Sequence, residues 1–176
     1  SHNYKDILVE ETYIDIDASE KIGKKSGLYK TITFKDITDK DNYNDVLKVL
    51  VETLSKMYKE VKISDNATCL VIGLGNEKST PDSLGPLVSD NILVTRHLFS
   101  LGEVEKGYRN VSSIKPNVTG VTGIETKKII AGIVEQIKPD FLIIIDALAA
   151  KSISRVNKTI QITNTGISPG SGVNNN

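Results

Sequence analysis

Residues 70–86 read LVIGLGNEKSTPDSLGP, and they restrict the fold more than any other stretch of the chain. The short apolar run Leu70-Val71-Ile72 stops at Gly73-Leu74-Gly75-Asn76. A polar loop leads to Thr80-Pro81-Asp82-Ser83, and an apolar-periodic segment begins at Leu84. That pattern predicts a buried strand, a tight turn and a helix start, with a carboxylate at the joint. A second continuous apolar run, residues 141–145, is of strand length and suits a parallel strand covered on both faces. It ends at Asp146. In open α/β sheets, ligands bind in the crevice beyond the carboxyl ends of the strands.

The rest of the chain fills in an α/β layer. Residues 7–16 alternate imperfectly and 28–34 alternate well, which predicts two antiparallel strands joined by a solvated turn at Gly23-Lys24-Lys25-Ser26-Gly27. Residues 36–44 are polar and loop-like. From Asp45, the apolar residues Leu47, Leu50, Val51, Leu54, Met57, Tyr58 and Val61 recur at helical spacing. A helix is expected over 84–99, a strand over 111–114, and a helix opened by Thr122-Gly-Ile-Glu-Thr126 that ends at Lys138-Pro139. Residues 159–163 alternate as a further strand. The order strand, helix, strand, helix, strand predicts a largely parallel central sheet between helices, with a small N-terminal antiparallel sheet. The expected division is N-terminal strands and linker over 1–40 and an α/β domain over 41–176.

Composition narrows the function classes. Lysine plus arginine balances aspartate plus glutamate at 22 each, so nothing here favours nucleic acid as a partner. The run over 141–145 is far too short to span a membrane. The single cysteine, Cys69, lies in a predicted buried strand and cannot form an internal disulfide. Sequons at Asn66, Asn110, Asn117 and Asn157 come with no signal-like segment, and a reducing cytoplasm is the expected setting. The chain begins at Ser1 without methionine and stops after a glycine-rich turn, which predicts a fragment.

Asp82 and Asp146 each follow a predicted central strand. If the strands are parallel, the two side chains share one edge of the sheet. Two carboxylates so placed can share a proton, one serving as general base on water while the other polarises a carbonyl. Asp82 has a second reading as a helix N-cap. Glu125 is a third candidate on the same edge, or else a first-turn residue favourable to the helix dipole. His97, His2, Lys151 and Arg155 read as solvated positions, and the turn at 169–172 reads as plain or as an anion site through its amides. Gly73-Leu-Gly75 is followed by Lys78 where a dinucleotide fingerprint needs glycine, and no Walker lysine follows a glycine loop.

Six motifs in order then bear a family likeness. Gly73-Leu-Gly-Asn76, Thr80-Pro-Asp-Ser-Leu-Gly-Pro86, Thr95-Arg-His-Leu-Phe99, Thr122-Gly-Ile-Glu-Thr126, Ile145-Asp-Ala-Leu-Ala-Ala150 and Thr165-Gly-Ile-Ser-Pro-Gly-Ser-Gly172 together resemble the germination proteases of spore-forming Firmicutes. The likeness runs from about residue 69 to 173, with a weaker extension through Ile22-Gly23-Lys24.

The resemblance implies an endopeptidase of the spore core that begins degradation of small acid-soluble DNA-protecting proteins at germination. It implies a zymogen, a homotetramer, no cofactor, and no direct contact with nucleic acid or membrane. Asp82 and Asp146 fall on the family's catalytic carboxylates, with Gly75, Asn76 and Glu125 as supporting or substrate-binding residues. It further implies kinship of fold with the hydrogenase-maturation proteases, as a three-layer sandwich. Those relatives bind metal through two acidic residues and a histidine. The third position falls near 168–172, which contains no histidine; a metal-dependent peptidase, or a binding module using the same crevice, is the alternative. The family's arginine-led start of the mature enzyme is not recognisable before Tyr4, and the family's chain continues past Val173.

Overall fold

The computed structural model describes residues 1–148 and 157–167. In chain order the strands are β1 (His2–Tyr4), β2 (Ile7–Ile14), β3 (Gly27–Thr33), β4 (Cys69–Gly73), β5 (Val111–Ile114), β6 (Phe141–Ile145) and β7 (Thr159–Thr163). The helices are α1 (Ile16–Ile22), α2 (Lys40–Glu60), α3 (Leu84–Asp90), α4 (Arg96–Leu101), α5 (Thr119–Thr122) and α6 (Thr126–Ile137), with a 3₁₀ turn at Thr80–Asp82. The fold is α/β and has two separate sheets. The described residues form two compact units, 1–62 with 157–167, and 63–148.

In the first unit, an antiparallel sheet runs in the order β1-β2-β3-β7. Alternation in β2 and β3 buries Ile7, Val9, Ile32 and, just past β3, Phe34, and these meet Val46 and Val49 of α2. Val46, Val49, Thr53 and Met57 are the buried stripe of that helix, at the three- and four-residue spacing of one face. The helix begins earlier than its apolar pattern predicts, because the Asp39 side chain accepts the Asn42 amide at 2.9 Å and caps it there. Helix α1 is absent from the sequence reading for a physical reason: it buries no residue. Only its ends announce it, through Asp15 accepting the Ala18 amide and Gly23 at φ 65°. β7 also departs from expectation. It pairs antiparallel with β3, Ile32 opposite Ile160, and its isoleucines pack on this core.

In the second unit, β5, β4 and β6 form a parallel sheet in that order, with Cys69 opposite both Val111 and Phe141. All five residues of β4 are buried. The burial expected for residues 141–145 therefore belongs to β4. Among the described residues β6 is an edge strand, and its Leu142 is 39% exposed. A reciprocal clamp joins the strand starts: the Asp140 carboxylate accepts the Thr68 amide (2.6 Å) and hydroxyl (2.8 Å), and the Thr68 hydroxyl accepts the Asp140 amide (3.0 Å).

The helix predicted over 84–99 is two helices. Thr95 interrupts it by joining the edge of β5, its amide donating to the Val111 carbonyl (3.0 Å) and its hydroxyl accepting the Val111 amide (2.9 Å). No helix among the described residues is long and apolar enough to cross a membrane.

Candidate active site

The carboxyl edge of the parallel sheet carries the site. Beyond the paired residues of β4 and β6, the Leu74 amide donates to the Ile145 carbonyl at 2.8 Å. This bond extends the register in which Gly73 lies opposite Ile145, and so brings Asp146 to the crest beside Leu74 at the head of the loop. The loop closes on itself. The Asn76 amide donates to the Asp82 carbonyl (3.0 Å), the Ser79 amide to the Asn76 carbonyl (3.0 Å), and the Asp82 amide to the Ser79 carbonyl (2.8 Å). The Asn76 side chain accepts the Lys78 amide at 3.0 Å, an Asx turn that fixes the start of the loop. Gly75 is required at its position twice over. Its φ is 115°, and a Cβ there would stand 3.1 Å from the Asp82 Oδ1 and nearer still to the Asp82 carbonyl oxygen.

Asp82 is partly buried at the end of the 3₁₀ turn. The capping role open to it in the sequence is not made: neither that turn nor α3 has a side-chain cap hydrogen bond. Asp146 is also partly buried. Burial pushes its carboxyl above the ordinary carboxylate range, and the Asp82 charge pushes it further the same way. A hydrogen bond from the Ala147 amide to its Oδ1 (2.9 Å) offsets part of this.

Glu125 is set differently. It holds the N-cap position of α6 without capping it through its side chain, and its exposed carboxylate pairs with Lys128 at 3.1 Å. His97 is exposed on α4. Lys151, Arg155 and the 168–172 turn lie outside the described residues. Among the described residues, no group of three His, Cys, Asp or Glu side chains could hold a metal ion.

Three residues that sequence reasoning passed over help build the crest. Gly85, in α3, faces the backbone at the ends of β4 and β6: a Cβ would meet the Leu74 nitrogen at 2.5 Å and the Ile145 oxygen at 2.6 Å. Gly73 completes the contact from the strand side, where a Cβ would meet the Gly85 carbonyl carbon at 2.5 Å. Helix α3 can therefore sit directly on the strand ends and deliver Asp82 to them. The signal was present, as two glycines within LVIGLG and one in SLGP flanking the loop. Lys115, at the end of β5, bridges Glu77 of the loop (3.2 Å) and Asp90 of α3 (2.7 Å). Its ammonium is raised above the usual lysine range by hydrogen bonds to Asp90 and Glu77.

The fold and site define an α/β protein with two carboxylates at the carboxyl edge of a parallel sheet. The chain belongs to the germination protease family, whose model matches residues 1–176. It is 51% identical over 173 residues to proteins called germination protease in Bacillus mycoides, Bacillus cereus and Bacillus anthracis. Each match covers 96% of this chain and 47% of the relative, so the chain spans about half the length of the curated relatives it matches.

Proposed function

We propose that this chain carries the catalytic carboxylates of a germination protease that starts the breakdown of small acid-soluble spore proteins. The observation that carries the proposal is the crest itself, where the register of β4 and β6 brings Asp146 beside Leu74, at the head of the glycine loop that closes on Asp82. In this reading Asp146 holds the proton and hydrogen-bonds the scissile carbonyl oxygen. Asp82, ionised, accepts a proton from a water whose oxygen attacks the carbonyl carbon. Collapse of the tetrahedral intermediate breaks the C–N bond, and the proton held by Asp82 passes to the leaving amine. The loop closed by Asn76 and the close approach at Gly75 support this reading by fixing the Asp82 backbone.

Family membership supports the remaining features as parts of the same proposal: synthesis as a zymogen, assembly as a homotetramer, action in the spore core, no cofactor, and a sheet related to that of the hydrogenase-maturation proteases. Glu125, turned to solvent beside Lys128, fits a substrate-binding role better than a share in the chemistry.

The test uses the full-length protein that contains this chain. Asp82→Asn and Asp146→Asn are each incubated with a small acid-soluble spore protein, and cleavage is followed by gel. Loss of cleavage in both is expected; undiminished cleavage in either rules out the dyad. Activity that survives exhaustive chelation separates the dyad from a metal-dependent peptidase at the same edge.

A further inference from the structure

Among the described residues, the outer edge of β5 is paired along only half its length. Neighbouring residues of a parallel strand turn their backbone groups alternately to one side and the other. The Cys69 amide donates to the Asn110 carbonyl at 2.9 Å, and Cys69 lies opposite Val111. Residues 110, 112 and 114 therefore bond to β4, while Val111 and Ser113 face outward. Thr95 takes both outward groups of Val111. The outward amide and carbonyl of Ser113 have no such partner among the described residues.

A trough of about 390 Å³ runs beside this edge, lined by Val94, Arg96, His97 and Ser100 on one wall and by residues 111–113 on the other. Arg96 is half-buried there, and among the described residues its guanidinium makes one hydrogen bond, a long one to the Ile137 carbonyl, 3.5 Å. No carboxylate lies within ion-pair reach of it among the described residues, whereas nearby Lys115 is held by both Glu77 and Asp90. A donor and an acceptor free on a strand edge, with an uncompensated guanidinium beside them, match an extended backbone that carries a carboxylate.

We propose that β5 and the trough beside α4 form a docking subsite for an extended, acidic stretch of the peptide substrate. The peptide adds as a strand against Ser113 and sets a carboxylate on Arg96. This rests on the proteolytic reading given above. Strands lie about 4.8 Å apart and rise about 3.3 Å per residue, so a strand added at Ser113 lies roughly 15 Å from the carboxylate crest, about five residues of extended chain. The subsite thus reads sequence remote from the bond that is cut. Thr95, which closes the first half of the edge, sets where such a strand begins.

The test again uses the full-length protein, with two peptides from a small acid-soluble spore protein, of about 6 and about 16 residues around the cleaved bond, only the longer reaching Ser113. The wild type is expected to show a KM about tenfold lower for the longer peptide. In Arg96→Ala, and in Ser113→Pro, which removes an outward amide and leaves the β4 ladder whole, that advantage is lost while kcat for the longer peptide is kept. Arg96→Lys restores part of it. Equal KM for the two peptides in the wild type, or an undiminished advantage in Arg96→Ala, overturns the subsite. Binding of the labelled longer peptide to Asp82→Asn, read by anisotropy, tests docking apart from cleavage. Binding there that Arg96→Ala weakens supports the subsite even where the proteolytic dyad fails. If Ser113→Pro does not fold, a longer peptide N-methylated opposite Ser113 carries the same comparison.

Discussion

Replacing Gly85 by alanine is the sharpest probe of the crest. In the interior of a helix this exchange ordinarily stabilises by about 0.5–1 kcal/mol, because glycine loses more backbone entropy on folding. Here the new methyl would meet the Leu74 nitrogen at 2.5 Å and the Ile145 oxygen at 2.6 Å. Favourable contact distances begin at about 3.5 Å, so the deficit is about 1 Å. Both obstacles are backbone at the ends of paired strands, and neither can swing aside as a side chain would. Forcing a methylene into such a site costs about 1–3 kcal/mol, which outweighs the helix gain. The relaxation that remains is for α3 to lift by about 1 Å, carrying Asp82 away from Asp146; a misplacement of that size costs about 10²-fold in rate. The assay is denaturant unfolding together with kcat/KM. Gly132→Ala serves as the internal comparison: Gly132 lies in α6 with nothing within 4 Å of an added methyl, and the same exchange there is expected to stabilise. A Gly85→Ala protein as stable as its parent refutes the close approach and the delivery of Asp82 that depends on it.

Three further outcomes are expected. Because the Asp146 carboxyl is raised in the fold by burial and by Asp82, ionising it opposes folding, and this penalty grows as pH rises from the ordinary carboxylate value through the folded one; Asp146→Asn should therefore melt higher than the parent at neutral pH and converge with it near pH 3, while abolishing cleavage. Lys30 is fully buried between Glu11 (3.2 Å) and Glu60 (2.7 Å): burial lowers its pKa, but hydrogen bonds to Glu60 and Glu11 more than restore it, so its charge contributes at neutral pH and is lost only as pH rises through the raised value. Glu11→Gln with Glu60→Gln should then cost about 1–2 kcal/mol in urea unfolding, because solvent screens the two half-exposed carboxylates, and adding Lys30→Met should recover most of it. Burial pushes the Cys69 thiol up to about 11 despite the opposing charge of Arg109, so a thiol reagent at pH 8 should modify the native chain far more slowly than the unfolded one, read by absorbance.

The residues that made the site legible in the sequence are those whose chemistry is local. A continuous apolar run followed by a glycine turn specifies a buried strand and its end wherever it occurs, and so Asp82 and Asp146 could be placed at strand ends without coordinates. The helicity of α2 was legible for the same reason, but its buried face was not: of the apolar positions read from the sequence only Met57 is buried, Leu47 and Val51 are exposed, and the core side is Val46, Val49 and Thr53. Helix α1 was not, because a helix that buries nothing leaves only its caps as a trace.

Other features depend on partners distant in the chain. The alternation at 159–163 was plain, but only pairing with β3 decided that this strand joins the antiparallel sheet. One helix over 84–99 was a sound reading of periodicity, and it fails because Thr95 finds the backbone of Val111. The burial assigned to residues 141–145 went to β4, because centrality in a sheet is a property of neighbours and not of composition.

By itself, then, the sequence determined the α/β layer, the strand ends and the two acids standing on them, all of which follow from patterns within about ten residues. Tertiary structure alone decided that the two strand ends meet at one crest. The Leu74–Ile145 hydrogen bond and the bare faces of Gly73 and Gly85 let one helix rest on two strand ends. It also decided that Asp146 sits where burial raises its carboxyl. Desolvation and proximity arise only when segments far apart in the chain meet, and no local pattern encodes them.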